Sequence, residues 1–142
     1  AQVLSDRGVE GFVFRGDDGL DEITLATSTS VLTIGKGEIT SDRIDAKDFG
    51  LTNAPIEALV GGDSTENARI TRAIFSGEKG APRDAVLLNA AAAIAAFDGE
   101  KGLGIYERFD KSLKKAATAV DSGAAKSLLE KWALLTQEIV SN

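Results

Sequence analysis

Hydrophobic residues change their spacing partway along this chain. From residue 9 to about 48, Val, Ile, Phe and Thr come in short runs broken by Gly and Asp, whereas from 55 onward Ala, Leu, Glu and Lys recur at three- and four-residue spacing. The first part predicts strands and the second helices, because side chains alternate across a strand and return to one helix face every three to four positions. Residues 1–7 read as the tail of a helix, with Val3 and Leu4 its only large apolar residues and Gly8 its stop signal. A strand is expected over 9–15, where Phe12, Val13 and Phe14 make a continuous apolar run of the kind that sits inside a covered sheet. Residues 16–22 interrupt it with two Gly and four acidic residues. Short strands are expected at 23–25 and 30–34, then a turn at Gly35-Lys36-Gly37 and an edge strand over 38–44.

Four helices follow in the pattern. Asp63 with Glu66 three positions on resembles a capping box, and with Gly61-Gly62 before it and Gly77 after it predicts a helix over 64–76. Pro82 suits the first turn of the next helix, where Asp84 adds favourable charge. Residues 85–97 are apolar almost all round, which predicts a buried rather than amphipathic helix. Tyr106, Phe109, Leu113, Ala116, Ala117 and Val120 trace one face of a third helix. Ala125, Leu128, Leu129, Trp132, Leu135 and Ile139 trace a face of the last, with Gly123 between the two. The whole is an α/β pattern of short strands followed by four helices.

Composition narrows the chemistry. A length of 142 residues is one domain's worth and buries enough surface to need no staples. With neither Cys nor His, thiol nucleophiles, imidazole bases, Ser-His-Asp triads and the common zinc sites are all excluded. Any metal must be held by oxygen. The balance of 16 Lys+Arg against 22 Asp+Glu, net −6, argues against a nucleic-acid partner, since phosphate backbones are met by clustered positive charge. No apolar stretch approaches the roughly 18–20 residues that cross a bilayer, so a soluble chain with no membrane partner is expected. Absence of Cys excludes a disulfide framework without naming a compartment.

The loop Gly16-Asp17-Asp18-Gly19-Leu20-Asp21-Glu22 is the first candidate for chemistry, because ligands of α/β sheets collect outside the carboxyl ends of strands. Two readings stand side by side. Adjacent carboxylates repel unless a cation compensates, and magnesium uses one or two such oxygens while keeping waters and sharing a phosphate; equally, Asp and Gly are the ordinary residues of a solvated turn. The spacing fails the register of an EF-hand. Gly61-Gly62-Asp63 reads as a tight turn with a helix cap, and Gly77-Glu78-Lys79-Gly80, which lacks phosphate-loop spacing, as a helix connection. Asn67 and Asn89 sit among apolar helix neighbours. Their expected role is structural, tying a loop backbone to a helix, because a buried amide must be hydrogen-bonded.

Taken together, Phe14-Arg15-Gly16-Asp17-Asp18-Gly19-Leu20-Asp21-Glu22, Phe49-Gly50-Leu51, Gly61-Gly62-Asp63 with Glu66-Asn67-Ala68, Arg83-Asp84, Leu87-Leu88-Asn89-Ala90-Ala91 and Asp121-Ser122-Gly123-Ala124 resemble the C-terminal part of the anthranilate phosphoribosyltransferase family. Order and spacing match from about residue 9 to the end. Arg15 departs from the His that the family usually carries before the Gly. The resemblance implies the C-terminal segment of a catalytic domain of the nucleoside phosphorylase and phosphoribosyltransferase type. It implies transfer of a phosphoribosyl group from phosphoribosyl pyrophosphate to the amine of anthranilate, in tryptophan biosynthesis, with release of pyrophosphate. It further implies Mg2+ held by Asp21 and Glu22, and a cytoplasmic location. On this expectation residues 1–142 are a fragment, inactive alone. The family's N-terminal helical domain, which builds its homodimer, lies upstream, as do its glycine-rich phosphate loop and its anthranilate-contacting residues. The alternatives are a fragment of a pyrimidine nucleoside phosphorylase-like enzyme, which should not need the Asp-Glu pair, or a stand-alone acidic-loop metal-binding module.

Overall fold

The computed structural model describes residues 1–35, 37–100 and 102–141. A short helix α1 (Gln2–Asp6) leads into three strands, β1 (Gly11–Gly16), β2 (Thr29–Ile34) and β3 (Ile39–Ile44), and then into α2 (Ser64–Phe75), α3 (Ala81–Asp98), α4 (Ile105–Asp121) and α5 (Ala124–Ser141). Two 3-10 turns, Ala46–Phe49 and Ile56–Leu59, bridge the two halves. The strands form a sheet in the order β1-β2-β3, antiparallel throughout, with Phe14 opposite Val31 and Thr29 opposite Ile44. Lys36, in the expected turn between β2 and β3, lies outside the described residues.

The expected strand at 23–25 does not form. Ile23, Thr24 and Leu25 are instead a buried, irregular segment, 3%, 1% and 0% exposed. Strand-like composition was present, but the backbone there forms no ladder: most of its bonds go to side chains, and the Leu25 carbonyl accepts from the Ala54 N–H of a distant loop at 3.1 Å. The Thr24 N–H donates to the Thr29 hydroxyl at 3.1 Å, and the Ala26 N–H to the Thr24 hydroxyl at 3.0 Å. Thr and Asn offer this alternative to sheet bonding through their short polar arms.

One face of the sheet is covered by α3 and α4. Phe109 of α4 is fully buried and meets the Phe12 ring edge-on at 5.2 Å, Phe14 at 6.3 Å and Phe49 at 6.0 Å. Val31, Ile44, Leu88, Ala92 and Ala95 close the core around this aromatic cluster. Edge-to-face rings add to the area they bury because the positive ring edge meets a negative face. A second, smaller cluster of Leu87, Ala116 and Val120 lies between α3 and α4, with Phe75 and Ala125 against it.

The expectation of a wholly buried α3 needs correction, and α5 shows the same limit of pattern. Only part of α3 is enclosed: Leu87, Leu88, Ala91, Ala92 and Ala95 are buried, but Val86 is 41% and Phe97 92% exposed. In α5 the outward stripe of Leu128, Trp132, Leu135 and Ile139 stands open, while Ala125 and Leu129 lie towards the body. Period reports which residues share a face; only the neighbours decide whether that face is covered.

Helix starts follow their local chemistry. Asp63 caps α2 by accepting from the Glu66 N–H at 2.9 Å, and Glu66, instead of completing the box, turns to Arg69 in a two-point ion pair at 2.7 and 2.9 Å. Pro82 occupies the first turn of α3, where its missing N–H costs nothing. Residues Gly77-Glu78-Lys79-Gly80 join α2 to α3, as their spacing predicts.

Candidate functional site

The acidic loop leaves β1 at Gly16 and is locked from its first residue. The Gly16 N–H donates to the Leu20 carbonyl at 2.9 Å, the Gly19 N–H returns to the Gly16 carbonyl at 3.0 Å, and the Leu20 N–H donates to Asp18 Oδ1 at 3.1 Å. Gly16 is required by close approach: a Cβ there would run into the Asp18 carboxylate and the Thr24 methyl. The other oxygen of Asp18 accepts from the Thr24 hydroxyl at 2.6 Å. Asp17 pairs with Arg43 of β3.

Those contacts divide the four acids into two kinds. Asp17 and Asp18 are engaged inside the protein and hold the turn. Asp21 and Glu22 are exposed, and among the described residues neither has a hydrogen bond or ion pair. Two adjacent carboxylates without partners, on a rigid loop, are a donor set for a hard cation, since Mg2+ accepts one or two protein oxygens and fills the rest of its octahedron with water and phosphate oxygens. They are not a cage: among the described residues no group of three or more acidic side chains converges on a metal position. The donor set therefore fits an ion that arrives with, or is shared by, a phosphate-bearing ligand.

The far side of the loop is held by α3. Asn89 accepts from the Ile23 N–H at 3.0 Å and donates to the Ile23 carbonyl at 2.9 Å, with a further bond to the Ala85 carbonyl at 3.1 Å. Asn67 grips Gly62 in the same manner, accepting from its N–H and donating to its carbonyl, both at 2.9 Å. Each asparagine thus tethers loop backbone to a helix, as expected of them, but neither is fully buried: Asn67 is exposed and Asn89 half-buried. A cleft of about 480 Å³ opens between the two gripped segments, bordered by Leu20, Glu22, Ile23, Val60, Asn67 and Asn89.

Thr24, Thr29 and Arg43 escaped sequence reasoning. Thr24 and Thr29 are almost wholly buried and organise the loop through their hydroxyls. The only sequence signal was two Thr flanking a short segment of strand-like composition, which is indistinguishable from ordinary strand Thr. Arg43 acts across 26 positions, beyond any local pattern.

Comparison with known proteins adds an independent line. The model of the glycosyl transferase family, a/b domain, matches residues 1–126. A curated relative, the anthranilate phosphoribosyltransferase of Rhodococcus jostii, is 45% identical over 142 residues, which is 100% of this chain and 39% of that protein. Among solved structures, the anthranilate phosphoribosyltransferase of Thermus thermophilus superposes with a TM-score of 0.78 at 33% identity, covering 92% of this chain and 37% of that one. The Saccharomyces cerevisiae enzyme, in complex with PRPP and Mg, superposes with a TM-score of 0.73 at 25% identity, covering 85% of this chain and 33% of that one. The chain thus spans about two fifths of the length of the curated relatives it matches.

Proposed function

The chain belongs to the glycosyl transferase family with the α/β domain, and on that premise we propose that it is the C-terminal part of the catalytic domain of an anthranilate phosphoribosyltransferase. The activity proposed is transfer of the phosphoribosyl group from phosphoribosyl pyrophosphate to the amine of anthranilate, with pyrophosphate leaving. The observation that carries the reading is the Asp21–Glu22 pair, without a partner among the described residues and held between two tethers at the carboxyl end of β1. The S. cerevisiae relative, whose structure includes PRPP and Mg, supports it.

In this reading Asp21 and Glu22 would hold Mg2+, which when bound would supply charge neutralisation for a pyrophosphate leaving group. The chain's own part is orientation. Asp18, Thr24 and Asn89 hold the loop on either side of the two exposed carboxylates, and Asp17 pairs with Arg43 of β3. No group here acts as nucleophile or base, which suits a reaction whose catalysis is mainly positioning and electrostatics. Phosphate cradling, the contacts to anthranilate and the homodimer interface fall to the upstream part, and the cytoplasm is the location proposed.

The test is made in the longer enzyme that includes this segment. Asp21→Asn and Glu22→Gln are expected to lower turnover by about 100-fold or more, because charge stabilisation by a metal is worth several kcal/mol and about 1.4 kcal/mol is tenfold. Folding, followed by thermal melting, should be nearly untouched, since neither carboxylate is engaged in the protein. Full activity in both variants would remove the metal assignment.

A further inference from the structure

We propose that Asn89 is a positioning residue for the cation site, acting through the Ile23 backbone on the Asp21–Glu22 pair. The inference rests on the reading of that pair as the metal-holding carboxylates, and it assigns a role to a residue that does not reach the cation itself.

Ile23 follows Glu22 directly, and its own backbone lies in no strand. Both of its main-chain polar groups are satisfied by one side chain, the N–H by Asn89 Oδ1 and the carbonyl by Asn89 Nδ2. The third bond, from Nδ2 to the Ala85 carbonyl one turn back on α3, fixes the amide in its plane. The Ile23 side chain is buried, and it packs in the core that also holds Leu88 of the same helix. Asn89 therefore acts as a one-residue strand, holding the end of the acidic loop as a ladder partner would.

On the other side, the Asp18 carboxylate binds the Leu20 N–H and the Thr24 hydroxyl. Asp21 and Glu22 lie between these anchors. A pair of like charges free of the protein moves apart unless its backbone is constrained, and a cation that takes only one or two carboxylates gains little from a pair it must first order. Removing the Asn89 anchor leaves Ile23 with two buried unsatisfied groups and frees the segment carrying Glu22. Outer contacts that orient metal ligands commonly change affinity by roughly 10–100-fold.

Asn67 supplies the control. It makes the same two-point grip on Gly62, but on the opposite wall of the cleft and on a segment that carries neither carboxylate. A generally structural amide and a positioning amide can therefore be compared within one molecule.

The experiment uses this chain labelled with nitrogen-15 and titrated with Mn2+ at a fixed concentration of inorganic pyrophosphate, Mn2+ being a magnesium surrogate whose unpaired electrons broaden nearby amide signals and pyrophosphate supplying the ligands that two carboxylates lack. In the wild type, broadening is expected to centre on Asp21 and Glu22. Asn89→Ala should raise the apparent Mn2+ dissociation constant about tenfold and accelerate hydrogen exchange at the Ile23 amide; Asn67→Ala should leave the Mn2+ titration unchanged. Asn89→Gln keeps both functional groups one methylene out of place, so it guards against a variant that fails to fold. It should fold as the wild type does and bind Mn2+ more weakly. Faster Ile23 exchange with unchanged Mn2+ affinity in either Asn89 variant overturns the positioning role while leaving the metal pair intact, as does an equal loss of affinity in Asn67→Ala. Absence of broadening at Asp21 and Glu22 in the wild type overturns the metal reading itself, and the inference with it.

Discussion

Asp121 accepts from the Arg83 guanidinium at 2.7 Å, and Lys79 stands 3.5 Å from the same oxygen. The hydrogen bond from Arg83 chiefly holds the Asp121 carboxyl below its ordinary value; desolvation opposes it, and the positive charges of Arg83 and Lys79 add to the lowering. The folded value lies below the unfolded one. Its contribution to stability is therefore complete above the unfolded value and is lost as pH falls through the lowered folded value. Asp121→Asn should accordingly flatten the acid limb of the stability profile, in the region below ordinary carboxylate titration. Urea midpoints taken from neutral to strongly acidic pH read this directly, and an acid limb identical to the wild type would refute it. At the same scale, sequence could list Asp17, Asp18, Asp21 and Glu22 as one acidic loop but could not sort them. Their partners, Arg43 and Thr24, come from a different strand and from a segment whose irregular path no local pattern announces.

Among the elements, α4 carries the strongest link between pattern and packing. Of its predicted face, Phe109, Ala116 and Val120 are buried and Leu113 and Ala117 half-buried, whereas Tyr106 is 46% exposed and the buried Ile105 and Ser112 lay outside the prediction; Phe109 inserts among rings from β1 and from the 3-10 turn at Ala46–Phe49. Phe109→Ala removes a fully buried ring from between the sheet and the helix layer. It is expected to cost about 3–5 kcal/mol, the usual range for a truncated core aromatic, measured by chemical denaturation. A loss under about 1 kcal/mol would mean that the site collapses freely and that the cluster is not the core's centre. By contrast, α5 shows the limit of periodicity. Its apolar stripe was legible from Ala125 to Ile139, yet Leu128 and Trp132 are 68% and 65% exposed. The expected strand at 23–25 failed for a related reason: β-propensity measures fit to a pleated neighbour, and here the neighbour is the Asn89 side chain.

For the molecule as a whole, the 142 residues form a packed body spanning about two fifths of the length of relatives such as the R. jostii protein. The body contains the exposed Asp21–Glu22 pair, no glycine-rich phosphate-loop spacing, and among the described residues no cluster that could hold a metal without other ligands. Substrate binding on the proposed reading needs more than this segment. With phosphoribosyl pyrophosphate, anthranilate and magnesium all present, the chain alone should therefore show no turnover, followed as loss of anthranilate fluorescence. Measurable conversion would contradict the division of labour proposed for the two parts. Among the described residues no helix is long and apolar enough to cross a membrane, in keeping with the absence of a long apolar run.

What the sequence determined by itself was local. Capping at Asp63, the proline at the first turn of α3, the helical faces, the turn residues of the acidic loop and the exclusion of His and Cys chemistry all depend on residues a few positions apart or on composition alone. Tertiary structure decided which carboxylates of the acidic loop are engaged within the fold and which have no partner among the described residues, that 23–25 is gripped by a side chain instead of a strand, and which apolar faces find cover. Each of those outcomes turns on a contact between residues distant in the chain: 26 positions for Arg43 with Asp17 and 66 for Asn89 with Ile23. Hydrogen bonds and ion pairs act over a few ångströms of space, whereas sequence patterns report only separation along the backbone.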